Sequence, residues 1–251
     1  MTQEIDESKL KAGDAHYKAY VGPPHQYDVM GATQFRLLCT LGLRAHQSVL
    51  DFGCGSLRAG RLFIVYLEAG RYFGIEPNHW LIEEGIQQHI GQDLLNIKKP
   101  QFDNNSECKT QVFDQQFDFI VAQSVFSHAG RAQIQTALQN FKQSLKEDGM
   151  IVVTFIEGQD EYLGDDWIYP GCVMYKPETV AQFAQQAGLF MQRIPWFHPR
   201  QTWYLLAKQQ ERLPTEDMLH CLAGATLFNE KFANSCKKLK REEYRDKAKV
   251  E

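Results

Sequence analysis

A single stretch, Ser48 to Asn78 (SVLDFGCGSLRAGRLFIVYLEAGRYFGIEPN), narrows the possible folds of this chain more than any other. It reads as a buried strand, a glycine turn, a helix and a second strand ending on Glu76. Val49 and Leu50 bring the apolar bulk that a buried strand needs, and Asp51-Phe52-Gly53-Cys54-Gly55 turns the chain sharply. Gly53 and Gly55 carry no Cβ, so backbone there can turn tightly and lie against a ligand. Glu76 stands 21 residues beyond Gly55. An acid at the end of that second strand can accept hydrogen bonds from both hydroxyls of a ribose. The stretch is therefore suited to an adenosine-containing cofactor.

A dinucleotide site wants a third glycine where Arg58 stands, with Leu57 before it and Gly60 two residues late. No phosphate loop ending in Gly-Lys-Ser/Thr occurs. Val-Leu-Asp-x-Gly-x-Gly followed by Gly-Ile-Glu-Pro-Asn instead resembles the class I S-adenosylmethionine-dependent methyltransferases. Phe117 to Ser124 resembles that family's fourth strand, and Leu145 to Thr154 its turn and fifth strand. Four motifs in order are more specific than any one of them.

The resemblance implies a Rossmann-like α/β fold. That is a three-layer sandwich of a mostly parallel seven-stranded sheet with an antiparallel final strand and helices on both faces. It implies S-adenosylmethionine as cofactor, held by Asp51, Gly53, Cys54, Gly55, Glu76 and Pro77. After the third strand, Ser106 or Glu107 would contact the adenine, with Asp103 and Asp114 as alternatives. Gln123 and Ser124, ending the fourth strand, would touch the methionine end or the substrate. Leu57 departs from the pattern, since a third small residue often stands there, and no clear acid follows the third strand. Arg58 reads as a helix-surface charge paired with Glu68 or Asp51.

The net charge of −4 argues against a domain gripping nucleic acid mainly through phosphates. Six cysteines without a Cys-x-x-Cys or a regular framework read as reduced packing thiols and suit a cytoplasmic protein. No signal peptide opens the chain, and no apolar run approaches the length of a membrane span.

Three parts follow: a polar and aromatic extension over residues 1–27, a methyltransferase domain over 28–208, and a helical extension with a charged tail over 209–251. Tyr17, Tyr20 and Tyr27 in the extension read as part of a lid or as packing against the sheet edge. Ile134, Leu138, Phe141 and Leu145 recur at helical spacing, as do Val180, Phe183 and Ala187 before Gly188. Strands near Met191–Trp196 and Thr202–Lys208 suggest an antiparallel edge hairpin. A capped helix starts at Pro214-Thr215-Glu216-Asp217. Its stripe of Cys221, Ala225, Phe228 and Phe232 would dock on the core or on a second copy as a homodimer.

Methyl transfer to a hydroxyl gains from a base near neutral pKa, which points to His128 and His198. Either also reads as a structural histidine. The segment from Glu157 to Gly171 sits where this family often inserts substrate-recognition elements. Asp160, Trp167 and Tyr169 there could stack on a sugar ring and accept its hydroxyls, or the aromatics could tuck into the core under a solvated loop. The combined expectation is O-methylation of a small polar metabolite or glycan. The alternative is a non-catalytic subunit or sensor that binds the same cofactor.

Overall fold

The computed structural model describes residues 6–222. Seven strands form one sheet in the order β3-β2-β1-β4-β5-β7-β6. They are β1 (Val49–Phe52), β2 (Tyr72–Ile75), β3 (Gln101–Asp103), β4 (Phe117–Ala122), β5 (Leu145–Phe155), β6 (Phe190–Ile194) and β7 (Thr202–Ala207). The pairings from β3 through β5 are parallel, and β7 runs antiparallel to both β5 and β6. The expected seven-stranded sheet with an antiparallel final strand is therefore present, with β7 lodged between β5 and β6.

Side chains alternate across the sheet at the strand period of two. In β4, Ile120 and Ala122 join one core while Phe119 and Val121 join the other. In β7, Trp203 and Leu205 face the second core, Tyr204 and Leu206 the first. Such strands are buried on both faces, which requires covering helices on both sides. Helices α6 (Arg131–Ser144) and α7 (Pro177–Gln186) bury Ile134, Leu138, Phe141, Val180 and Phe183 in the first core. Helices α2 (Tyr27–Thr40) and α3 (Gly60–Tyr66) supply Leu37, Leu38, Phe63 and Ile64 to the second. Leu145, expected to continue the α6 pattern, instead opens β5 and pairs with Phe117.

Between β2 and β3 the chain passes through α4 (His79–Gly85), a π turn (Ile86–Ile90) and α5 (Gly91–Lys98). Before α2 lies the short α1 (Tyr17–Tyr20). The structure describes only the first turns of the C-terminal helix, α8 (Glu216–Leu222), where Thr215 Oγ1 accepts the Met218 N–H as an N-cap. Ala225, Phe228, Phe232 and the charged tail, and with them the expected dimer stripe, lie outside the described residues. No helix among the described residues is long and apolar enough to cross a membrane.

The sheet order reverses direction between β1 and β4. In open α/β sheets the crevice at the carboxyl ends of strands flanking such a switch is where ligands bind. Here it brings the turn after β1 against the end of β4.

Candidate active site

The turn after β1 is pinned first by its backbone. The N–H groups of Gly53 and Cys54 both donate to Ile75 O of the next strand, at 2.8 and 3.1 Å. Gly53 and Gly55 adopt φ of +72° and +53°. A Cβ at Gly53 would lie 2.5 Å from Val125 Cγ2, and one at Gly55 would lie 2.6 Å from Val21 Cγ1. Both positions therefore require glycine for conformation and for space. Gly53→Ala is expected to destabilise the fold by roughly 1–3 kcal/mol, combining left-handed strain with displacement of Val125. A thermal melt would read this as a drop of several degrees, and an unchanged melting temperature would refute it.

Leu57 also takes a left-handed φ of 59° and is fully buried. The chain accepts that strain in a bulky residue where a small one was expected, while its side chain fills the second core.

The aromatic segment before α2 packs over this turn, and its Tyr20 lines the cavity. Tyr27 Oη donates to Ser56 O at 2.8 Å, and Ser56 Oγ donates to Tyr17 O at 2.7 Å. Arg58, expected on a helix surface with Glu68 or Asp51, makes no ion pair with either. Its Nη1 donates to Val21 O at 2.7 Å, clipping the extension to the turn. The charge of Arg58 is still felt by Asp51, on which it acts electrostatically.

Two carboxylates line the floor. Asp51 is buried and accepts the Tyr72 hydroxyl at 2.9 Å. Burial pushes its carboxyl up to about 7, with the Tyr72 hydrogen bond and the Arg58 charge acting the other way. A carboxyl raised in the folded state binds its proton more tightly there than in the unfolded chain. Its contribution to stability is complete below the unfolded value near 4 and is lost as pH rises through about 7. Asp51→Asn keeps an acceptor for Tyr72 and should stabilise the protein by roughly 1–3 kcal/mol at pH 8 but not at pH 4. Paired melts at the two pH values check this.

Glu76 is buried just beyond β2, and burial raises its pKa although hydrogen bonds from Asn78 and Gly55 oppose the rise. Its Oε2 accepts the Gly55 N–H at 3.1 Å, and its Oε1 accepts the backbone and side-chain N–H of Asn78 at 2.9 and 2.8 Å. A carboxylate offers about four lone-pair sites. Three are filled from within, so one further donor can be accepted without moving Asn78.

The third-strand loop separates the candidates placed there. Ser106 lines the cavity, together with Asn105. Glu107 is exposed and pairs with Lys109. Asp103 caps its own turn by accepting the Asn105 N–H at 2.8 Å, and neither it nor Asp114 reaches the cavity wall. Cys54, Pro77, Gln123 and Ser124 all line the cavity. Ser124 sits at φ +60°, its N–H held by Thr154 Oγ1 at 2.8 Å, and its Oγ meets Gln201 Nε2 at 2.9 Å.

The two histidines differ in what their Nδ1 atoms meet. His128 Nδ1 lies 3.0 Å from Ile168 O and 2.6 Å from Gly171 O. Carbonyls only accept, so Nδ1 carries the proton, and Nε2 of the neutral ring is the basic atom. Burial lowers the His128 pKa, its carbonyl partners oppose this, and the Arg200 charge lowers it further. His198 is the reverse. Its Nδ1 accepts the N–H groups of Arg200 and Gln201 at 3.1 and 3.0 Å, so its proton belongs on Nε2. Nε2 faces the Gln123 amide at 3.4 Å, whose Oε1 otherwise has no partner. The pairing that satisfies both groups is His198 Nε2–H donating to Gln123 Oε1. His198 thus meets two backbone N–H groups at Nδ1 and the Gln123 amide at Nε2.

In the inserted loop, Trp167 is about half exposed and Tyr169 partly buried, both lining the cavity beside His128 at ring separations of 5.5 and 5.2 Å. Tyr169 Oη donates to Tyr20 O, tying the loop to the N-terminal extension. Asp160 is exposed and stands outside the cavity wall. Asp165, in the same loop, accepts the Ala132 N–H at the start of α6. Asn78, Asn105 and Arg200 also line the cavity, and the sequence carried no local signal for them.

The enclosed volume is about 500 Å³, within the range of small-molecule sites. The fold is Rossmann-like, and the cavity lies at its topological switch point. Residues 50–151 match a family model described as a methyltransferase domain. Over those residues the chain is similar to that family, and its sheet order and helices form a Rossmann-like α/β fold. Among solved structures, a TehB-like SAM-dependent methyltransferase from Corynebacterium glutamicum is similar at 19% identity and a TM-score of 0.53. That match covers 70% of this chain and 88% of the other. A glycopeptide N-methyltransferase complexed with S-adenosylmethionine matches at 11% identity and TM-score 0.56, over 71% and 94%. Magnesium protoporphyrin IX methyltransferase from Synechocystis, with bound SAH, matches at 12% and 0.55, over 72% and 86%. At these identities the likeness is one of fold. No curated protein matches the sequence.

Proposed function

We propose that this protein is an S-adenosylmethionine-dependent methyltransferase that methylates a hydroxyl of a small polar metabolite or glycan. The observation that carries the cofactor is the cradle after β1. Two glycines in left-handed backbone leave no room for a Cβ, and the buried Glu76 retains one acceptor site beside them. These residues fit an adenosyl group: Glu76 would take a ribose hydroxyl, Ser106 would lie by the base, and Asp51, Gly53, Cys54, Gly55 and Pro77 would enclose it. Gln123, which lines the cavity and meets His198, would lie by the methionine end.

Held there, S-adenosylmethionine would supply a sulfonium-activated methyl group for transfer to an acceptor oxygen. The protein's own work is alignment and exclusion of water. Trp167 and Tyr169 offer ring faces against which an acceptor can lie. His128 receives the hydroxyl proton at Nε2, its tautomer set by the two carbonyls at Nδ1. Free thiols at Cys39, Cys54, Cys108 and Cys172 support a reducing, cytoplasmic setting.

Incubation with deuteromethyl-labelled cofactor and a metabolite extract, read by mass spectrometry, tests the reading. A product heavier by one labelled methyl group is expected on oxygen. Binding of cofactor without any labelled product would favour the non-catalytic subunit instead.

A further inference from the structure

Four side chains of fixed charge type line the cavity: Asp51, Glu76, Arg58 and Arg200. Three have their needs met within the protein. Asp51 holds the Tyr72 hydroxyl, Glu76 holds three N–H groups, and Arg58 donates to Val21 O and offsets Asp51. Arg200 is different. It has no carboxylate partner among the described residues, and its one side-chain contact is Cys172 Sγ at 4.0 Å.

Arg200 is exposed, and its backbone rather than its guanidinium is tied down. Its backbone N–H is held by His198, a ring only 5% exposed. Its contact with Cys172 sets the guanidinium against the segment that carries Trp167 and Tyr169. Its charge reaches His128, the proposed base, and depresses that ring's basicity. No carboxylate lines this end, because both lining acids belong to β1 and the turn after β2, and Asp160 stands outside the wall. An arginine held next to the base, in a wall otherwise free of charge, suits a planar or tetrahedral oxyanion.

Resting on the methyltransferase reading above, we propose that the acceptor carries an oxyanion, a carboxylate or a phosphate, which Arg200 anchors while a neighbouring hydroxyl faces His128. Arg200 then determines specificity because a neutral analogue displaces water from the guanidinium without pairing its charge.

Ligand-observed saturation-transfer NMR on the protein saturated with S-adenosylhomocysteine tests this with matched pairs: glucuronate against glucose, 4-hydroxybenzoate against 4-hydroxybenzamide, phenyl phosphate against phenol. The anionic member of at least one pair should bind roughly tenfold more tightly than its neutral partner. The carboxylate and phosphate pairs show which oxyanion is taken. Arg200→Gln should erase the preference, and Arg200→Lys should keep part of it. Each variant's affinity for S-adenosylhomocysteine serves as the control for folding. Equal binding within every pair, an unchanged preference in Arg200→Gln, or no binding of any probe to the loaded protein overturns the proposal. Failure of the wild type to take up S-adenosylhomocysteine would instead remove the methyltransferase reading.

Discussion

Replacing Glu76 by alanine should weaken S-adenosylhomocysteine binding by about 100-fold in a calorimetric titration. A hydrogen bond to a charged group contributes about 1.5–3 kcal/mol, and each 1.4 kcal/mol is a factor of ten in affinity. The loss has two parts. The ribose contact disappears, and the N–H groups of Gly55 and Asn78 lose the acceptor that shapes the cradle. Glu76→Gln should recover little, because one end of its amide must set an N–H₂ against a backbone N–H that needs an acceptor. Far-UV circular dichroism separates local loss from unfolding, since Glu76 lies outside both apolar cores. An affinity unchanged in a folded Glu76→Ala protein would remove the basis for the cofactor assignment.

Much of this site was readable because its determinants are local. Gly53, Gly55 and Glu76 lie within one βαβ unit, where the strand period and glycine spacing fix their relation before any tertiary contact forms. The central strands β1, β2, β4 and β7 were legible for a related reason: buried on both faces, they appear as nearly continuous apolar runs, unlike the partly exposed edge strands β3 and β6. What the sequence concealed depends on distant partners. Arg58 finds its acceptor at Val21, 37 positions away, so its helix-surface reading failed through a segment that folds back over the turn. Trp167 and Tyr169 line a cavity because Tyr169 reaches Tyr20 across 149 positions. Between Ser106 and Glu107 the choice turned on which faced inward in an irregular loop, where no period operates. The histidines looked alike in sequence and were told apart only by whether carbonyls or N–H groups surround Nδ1.

That distinction yields the other large effect. With labelled acceptor product as readout, His128→Asn should lower kcat by about 10²–10⁴-fold, the usual contribution of a positioned base, while S-adenosylhomocysteine affinity stays within about twofold. His198→Asn should act through Gln123 and the turn carrying Arg200. Its loss should therefore appear in ligand affinity and thermal stability. The wild-type pH profile carries the same signature. Because His128 is held below the ordinary histidine value of 6.5, its basic form persists to lower pH, and the acid limb of kcat/KM should fall below 6.5. The stability linkage has the matching sign. A ring kept neutral in the fold but free to protonate when unfolded contributes stability above about pH 6.5 that is lost as pH falls through the depressed folded value. His128→Asn should flatten that slope, whereas a pH-rate profile untouched by the substitution would mean that the acceptor proton leaves by another route.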